Sequence, residues 1–194
     1  WHYFFILESK PIKIMNKSIY DDLFRYTGKR SIRLLWRYVF FTPGFRYIYF
    51  LRKTQSANFI ITKFLWKFLL RRCMLKTNIQ IPPETSIGKG FRIAHFGSIV
   101  INPNTIIGIN FNIANGAVIG NAEGQKKGTP IIGNNVSVHA NAVIIGGVNI
   151  GHNVLIAPNA FVNIDIPNGA IALGNPCKII NRINASSKYI VYKV

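Results

Sequence analysis

Few side chains in this sequence are equipped for chemistry, and their positions narrow what that chemistry is. The 194 residues include four histidines, two cysteines and six carboxylates. His95 stands out, because it falls at the corner-side position of a repeating unit, where an interior aliphatic is not expected. Imidazole titrates near neutrality and can remove the proton of an alcohol, which is a poor nucleophile until it is deprotonated. His139 and His152 lie thirteen residues apart, and His139 is forty-four from His95, so they are read as ordinary residues. Cys73 and Cys177 fit neither a disulfide framework nor a metal site. A reduced, cytoplasmic compartment is the expectation, with no metal.

The element that must position His95 is legible as a period. Ile81, Ile87, Ile93 and Ile99 are six residues apart; Ile101, Ile107, Ile113 and Ile119 resume after a two-residue slip. Ile132, Val138, Ile144, Ile150, Ile156 and Val162 carry it on after a longer break. The following position is often small, as at Gly88, Gly108, Gly133 and Gly151. Neither a helix nor a flat strand has period six. A chain that turns a corner every six residues and closes after three corners does, and stacking its coils builds a prism with a continuous aliphatic core. Gly90, Asn110, Asn135 and Asn153 supply residues that tolerate the left-handed backbone of tight corners. About 18 residues per coil predicts about five coils. The polar segment Asn121–Ile131 should leave the prism as a loop, and repeat folds often bind on the face carrying such insertions.

Ahead of the repeat the composition changes. Residues 1–78 hold 16 Lys and Arg against three acids, while 79–194 hold eight against three. The basic N-terminal third therefore predicts an anionic surface, substrate or partner nearby. Residues 18–76 read as two or three helices, with Ser18 as a cap, Asp21 and Asp22 in a first turn, and breaks at Gly28 and Thr42-Pro43-Gly44. The stretch 59–72 carries a broad apolar face beside Lys63 and Lys67, suited to helix packing or to a membrane interface. No apolar run reaches the roughly 18 to 20 residues of a spanning helix. No nucleic-acid motif accompanies the bases, so no nucleic-acid partner is expected. The organisation is thus an extension at 1–17 with Met15 as a plausible start, a basic helical domain at 18–78, the prism at 79–180, and a tail at 181–194.

The segment from Ile87 to Gly108, Ile-Gly-Lys-Gly-Phe-Arg-Ile-Ala-His-Phe-Gly-Ser-Ile-Val-Ile-Asn-Pro-Asn-Thr-Ile-Ile-Gly, resembles the hexapeptide-repeat acyltransferases. It is most similar to the serine acetyltransferase branch and its polysaccharide O-acetyltransferase relatives. The ending Gly174-Asn175-Pro176-Cys177-Lys178 resembles the closing turn of that branch. The resemblance covers 79–180. It implies a mainly β fold, a left-handed parallel β-helix behind an N-terminal α-helical segment. It also implies a homotrimer or dimer of trimers, with acetyl-CoA in the groove between neighbouring prisms and His95 as the catalytic base.

The departures from that pattern bear on the acceptor. Where the serine enzymes carry an aspartate before the histidine, a carboxylate fifteen residues upstream of it and a second histidine after the loop, this chain has Ala94, Gln80 and Thr129. Serine is therefore a poor expectation and a sugar hydroxyl a better one, with Ala94, Thr129, Lys126 and Lys127 near the acceptor. Without that carboxylate, Asn102 and Asn115 are the candidates to orient His95. Ala142, Gly146 and Ala160 would leave room for the pantetheine arm, with Gly174 and Lys178 at its far end. The related carbonic anhydrases need a close histidine pair that is missing. The expected activity is O-acetylation of a saccharide of a surface glycan, in the cytoplasm or at the inner face of its membrane. Serine acetylation, N-acetylation of an amine and a non-catalytic scaffold stay open as alternatives.

Overall fold

The computed structural model describes residues 15–124 and 126–194; the proposed extension up to residue 14, and Gln125 of the predicted loop, lie outside it. From Ile79 onward the chain winds as a left-handed parallel β-helix with three faces. The first coil comprises β1 (Ile79–Gln80), β2 (Ser86–Ile87) and β3 (Arg92–Ile93). The second holds β4 (Ile99–Ile101), β5 (Ile106–Ile107) and β6 (Asn112–Ile113), and the third β7 (Val118–Gly120), β8 (Ile131–Ile132) and β9 (Ser137–Val138). The fourth holds β10 (Val143–Ile145), β11 (Asn149–Ile150) and β12 (Leu155–Ile156). The fifth has β13 (Phe161–Val162), a single bridge at Ile166, and β14 (Ala170–Leu173). These are the five coils the period predicts. Face A stacks β1, β4, β7, β10 and β13; face B stacks β2, β5, β8 and β11; face C stacks β3, β6, β9, β12 and β14. A final strand, β15 (Lys178–Asn181), folds back antiparallel on β14.

The aliphatic repeat faces inward throughout, and Ile93, Ile113, Val138 and Ile156 are all buried in one column of face C. Asn110, Asn135 and Asn153 have φ of 56°, 56° and 58°, the left-handed corner geometry expected of them. Their carboxamides also form a ladder, Asn110 Nδ2 donating to Asn135 Oδ1 and Asn135 Nδ2 to Asn153 Oδ1, each at 3.0 Å. Between faces B and C the coils approach too closely for a side chain: a Cβ on Gly108 would lie 2.8 Å from the Gly133 carbonyl. The small residues of the repeat are there for backbone-to-backbone stacking.

Four helices precede the prism: α1 (Met15–Thr27), α2 (Ile32–Phe41), α3 (Pro43–Ser56) and α4 (Ile60–Thr77). The breaks at Gly28 and Thr42-Pro43 fall as predicted, but the start of α1 does not. Ser18 lies inside the helix, and Asp21 and Asp22 are buried rather than exposed to its dipole. They are needed as ion-pair partners: Asp21 binds Arg30 at 2.7 Å and Asp22 binds Arg52 at 2.8 Å.

The helices satisfy the open first coil of the prism. Its strands have no coil beneath them, so their outward-facing N–H and C=O groups need other partners. The Tyr26 hydroxyl donates to Ile93 O at 2.8 Å and accepts from Ile93 N–H at 2.9 Å. Tyr47 does the same for Ile81, at 3.0 Å each way. Arg52 donates to Ile87 O and Gly88 O at 2.7 and 2.6 Å, and Asp22 Oδ1 accepts from Phe91 N–H at 2.7 Å.

The α4 face is less covered than helix packing alone would require. Leu70 and Cys73 are buried, but Phe59, Ile60, Ile61, Phe64, Leu65 and Phe68 are exposed along its N-terminal half.

Candidate active site

His95 sits on an irregularity of the coil. From Ile93 to Ile101 is eight residues, whereas Ile113 to Ile119 and Val138 to Ile144, which cover the same stretch in later coils, are six. The two extra residues bulge the edge between faces C and A, with Gly97 at φ 124° and Ser98 at φ 36°. His95 is exposed on that bulge. Tyr26, clamping both backbone groups of Ile93 two residues earlier, fixes where the bulge begins.

The imidazole opens on a cavity of about 240 Å³. Two columns of face C form its wall. Arg92, Asn112 and Ser137 each precede a core residue, and Ala94, Ala114 and His139 each follow one. The C-terminal tail closes the far side with Tyr189, whose ring meets that of His139 edge-on at 4.4 Å. Asn112 is doubly engaged, donating to Tyr189 O at 2.8 Å and accepting from Arg25 Nη2 at 2.5 Å. His139 Nε2 is 3.3 Å from Ser137 Oγ, and burial lowers its pKa, favouring the neutral ring. Burial also lowers the pKa of Arg25, to about 10, with the nearby Arg92 charge acting in the same direction. Among the described residues the cavity lining carries no carboxylate.

Of the residues picked from sequence, Ala94 lines this cavity beside His95. Asn115 lies one coil up the same edge, accepting from Asn141 N–H. Asn102 does not approach His95: it is at the edge between faces A and B, where its Oδ1 closes a turn by accepting from Asn104 N–H at 2.9 Å. Thr129 is on that edge too, donating to Asn104 O at 3.1 Å. Lys126 is paired with Asp165 at 2.7 Å and Lys127 with Glu123 at 3.6 Å, so the loop lies along the A–B edge of its own prism.

The predicted cofactor positions divide. Ala142 and Ala160 are core residues, at 0 % and 1 % exposure, and present no side-chain surface to a ligand. The room at Gly146 is already taken, since a Cβ there would lie 2.6 Å from Lys126 O of the loop. Gly174 is exposed at the top of the His95 edge, its carbonyl accepting from Phe161 N–H at 3.0 Å, and Lys178 is exposed on β15 just after it. From the first coil to the fifth this edge runs about 19 Å at the usual ~4.8 Å strand spacing.

Arg92, Asn112 and Ser137 were missed from sequence, and His139, read there as an ordinary residue, lines the cavity with them; each flanks a core aliphatic as Ala94 does. Tyr189 and Arg25 carried no such signal. Among the described residues no group of three His, Cys, Asp or Glu side chains is close enough to hold a metal ion.

This fold, with an exposed histidine on a bulged coil edge, is that of a hexapeptide-repeat acyltransferase. Residues 129–163 match the family described as bacterial transferase hexapeptide (six repeats). The serine acetyltransferase of Helicobacter pylori (strain ATCC 700392 / 26695) is 32 % identical over 154 residues, covering 78 % of this chain and 90 % of that protein. The putative colanic acid biosynthesis acetyltransferase WcaB of Escherichia coli (strain K12) is 33 % identical over 100 residues, 52 % of this chain and 62 % of that protein. A serine acetyltransferase solved in complex with CoA superposes with a TM-score of 0.71 at 23 % identity, covering 86 % of this chain and 69 % of that one. The chain belongs to the hexapeptide-repeat acyltransferase superfamily, and within it is an acetyltransferase.

Proposed function

We propose that this protein is an acetyl-CoA-dependent O-acetyltransferase that modifies a hydroxyl of a cell-surface polysaccharide or its sugar precursor, with His95 as general base. The observation that carries the acceptor assignment is the composition of the His95 cavity. An α-amino acid acceptor presents an ammonium group, which calls for a carboxylate; here the wall offers Arg92, Asn112, Ser137 and a neutral His139. The donor would lie along the C–A edge, its thioester at His95 and its nucleotide toward Gly174 and Lys178. His95 takes the acceptor proton as the oxygen attacks the thioester carbonyl. The tetrahedral intermediate then expels the CoA thiolate, which recovers that proton from the imidazolium.

Support for a trimer comes from the edges. His95 and the extruded loop occupy different edges of one prism, so a site using both draws the loop from a neighbour. The outer side of face B carries Ile106 and Ile131, paired in register and each 51 % exposed, an apolar strip suited to such a neighbour.

The serine alternative has its own support in the near-full-length match to the Helicobacter pylori serine acetyltransferase. Thiol release from acetyl-CoA separates the two. Saccharide hydroxyls are expected to accelerate release well above the hydrolytic background, with serine near that background; saturable turnover of serine alone would overturn the saccharide reading.

The helical part is also proposed to rest on an anionic membrane surface. Between residues 23 and 83 there are 13 Lys and Arg and no acid. The exposed Phe59, Ile60, Ile61, Phe64, Leu65 and Phe68 lie among Lys63, Lys67, Arg71 and Arg72. An apolar face edged by bases suits a headgroup layer, and no helix among the described residues is long and apolar enough to cross it. Co-sedimentation with phosphatidylglycerol vesicles, lost with pure phosphatidylcholine, is the expected result; equal recovery with both would count against it.

A further inference from the structure

The wall beside His95 holds a positive charge with no acidic partner among the described residues. Arg92 leaves β3 on the outer side of face C, with its guanidinium stacked 5.4 Å from the Tyr26 ring centroid. Its Nε–H is closed off from solvent and has no hydrogen-bond partner among the described residues. Among the described residues no carboxylate pairs with it either: Asp22 is committed to Arg52 and to Phe91 N–H, and Asp21 to Arg30. Arg25 adds a second guanidinium close by, donating to Gly90 O, Tyr192 O and Asn112 Oδ1. Arg92 lines the His95 cavity and its Nη groups make no hydrogen bond among the described residues, so these, and not the enclosed Nε–H, are left to be met by a group entering that cavity.

We propose that Arg92 determines acceptor specificity by binding an anionic group carried by the sugar, a carboxylate or a phosphate, while the hydroxyl to be acetylated faces His95. A planar guanidinium held against a tyrosine ring presents its donors as a fixed fork, the geometry that matches either anion two-pronged. The anion belongs to the acceptor and not to the donor. Coenzyme A carries its phosphates at the opposite end of the pantetheine arm from the thioester, and the thioester must meet the acceptor at His95. This inference rests on the acetyl-transfer reading above and adds a substrate class to it.

The test compares methyl glucuronide, a sugar 6-phosphate and methyl glucoside as acceptors and as ligands in calorimetry. Wild-type protein is expected to favour the anionic sugars at least tenfold in kcat/KM, carried by KM, and the better of the two anions identifies the natural group. Arg92→Met is expected to bring that ratio toward one, and Arg92→Lys to restore part of it, since it keeps the charge and loses the fork. In wild-type protein, free glucuronate should inhibit competitively with acceptor where glucose does not. An equal response to charged and neutral sugars, or a preference surviving Arg92→Met, overturns the proposal. If acidic sugars bind in an Arg92-dependent way but are never acetylated, the anion site stands and the saccharide-acceptor reading fails. Brisk acetylation indifferent to charge has the opposite meaning.

Discussion

His95→Ala is expected to lower kcat for acetyl transfer by about 10²- to 10⁴-fold, the usual contribution of a positioned general base. The side chain is exposed on a bulged corner and makes no hydrogen bond to another side chain among the described residues, so the melting temperature and the affinity for CoA should barely move. That combination distinguishes a lost base from a damaged fold. On the proposed donor path up the C–A edge, the remaining contacts would lie toward Gly174, away from the substitution. A variant within tenfold of wild type would mean that another group takes the acceptor proton. His139 would then be first to examine, because its ring opens on the same cavity and burial keeps it neutral.

The largest expected loss of stability comes from the other side of the same coil. Asp22→Ala removes a fully buried carboxylate and leaves Arg52, itself 8 % exposed, without its counter-charge, and Phe91 N–H without its acceptor. Breaking one half of a buried ion pair costs about 3–5 kcal/mol, against a typical total stability of about 5–15 kcal/mol. Urea denaturation should show the midpoint falling accordingly. Asp165→Ala is the contrast: its pair with Lys126 is as short, at 2.7 Å, but both side chains are about half exposed. Such surface pairs contribute about 0–1 kcal/mol. If the two substitutions cost the same, the carboxylate at Asp22 is not what holds the helices to the prism.

The prism was legible because its repeat is a direct readout of its geometry. Ile93, Ile113, Val138 and Ile156 differ in their neighbours but share one column, and the asparagine corners follow from the backbone angle each corner needs. The same periodicity argues against a ligand-facing role for Ala142 and Ala160. Ala142 and Ala160 stand two residues before Ile144 and Val162, as Ile99 does before Ile101, and that phase points inward. Reading them as space for a ligand mistook core packing for a groove. What the period could not reveal was anything joining distant stretches. Tyr26 reaches Ile93 across 67 residues, Arg25 reaches Tyr192 across 167, and Tyr189 arrives from a tail without repeat. The His95 bulge was visible as a break in register, but the charged wall facing it exists only once three separate segments have met.

The way α1 and α3 finish the first coil has a consequence for how this molecule behaves in company. A stack of identical coils is a template, and a bare terminal coil would invite another chain to add itself, the route by which β-structures grow into fibres. Here Tyr26, Tyr47, Arg52 and Asp22 occupy the hydrogen-bonding groups that an incoming strand would use. At the opposite end the antiparallel β15 covers β14. The helical segment is therefore a stopper as well as a platform. Losing its grip would threaten solubility by laying one end of the stack open, and would unseat the His95 bulge as well, because Tyr26 sets where that bulge begins.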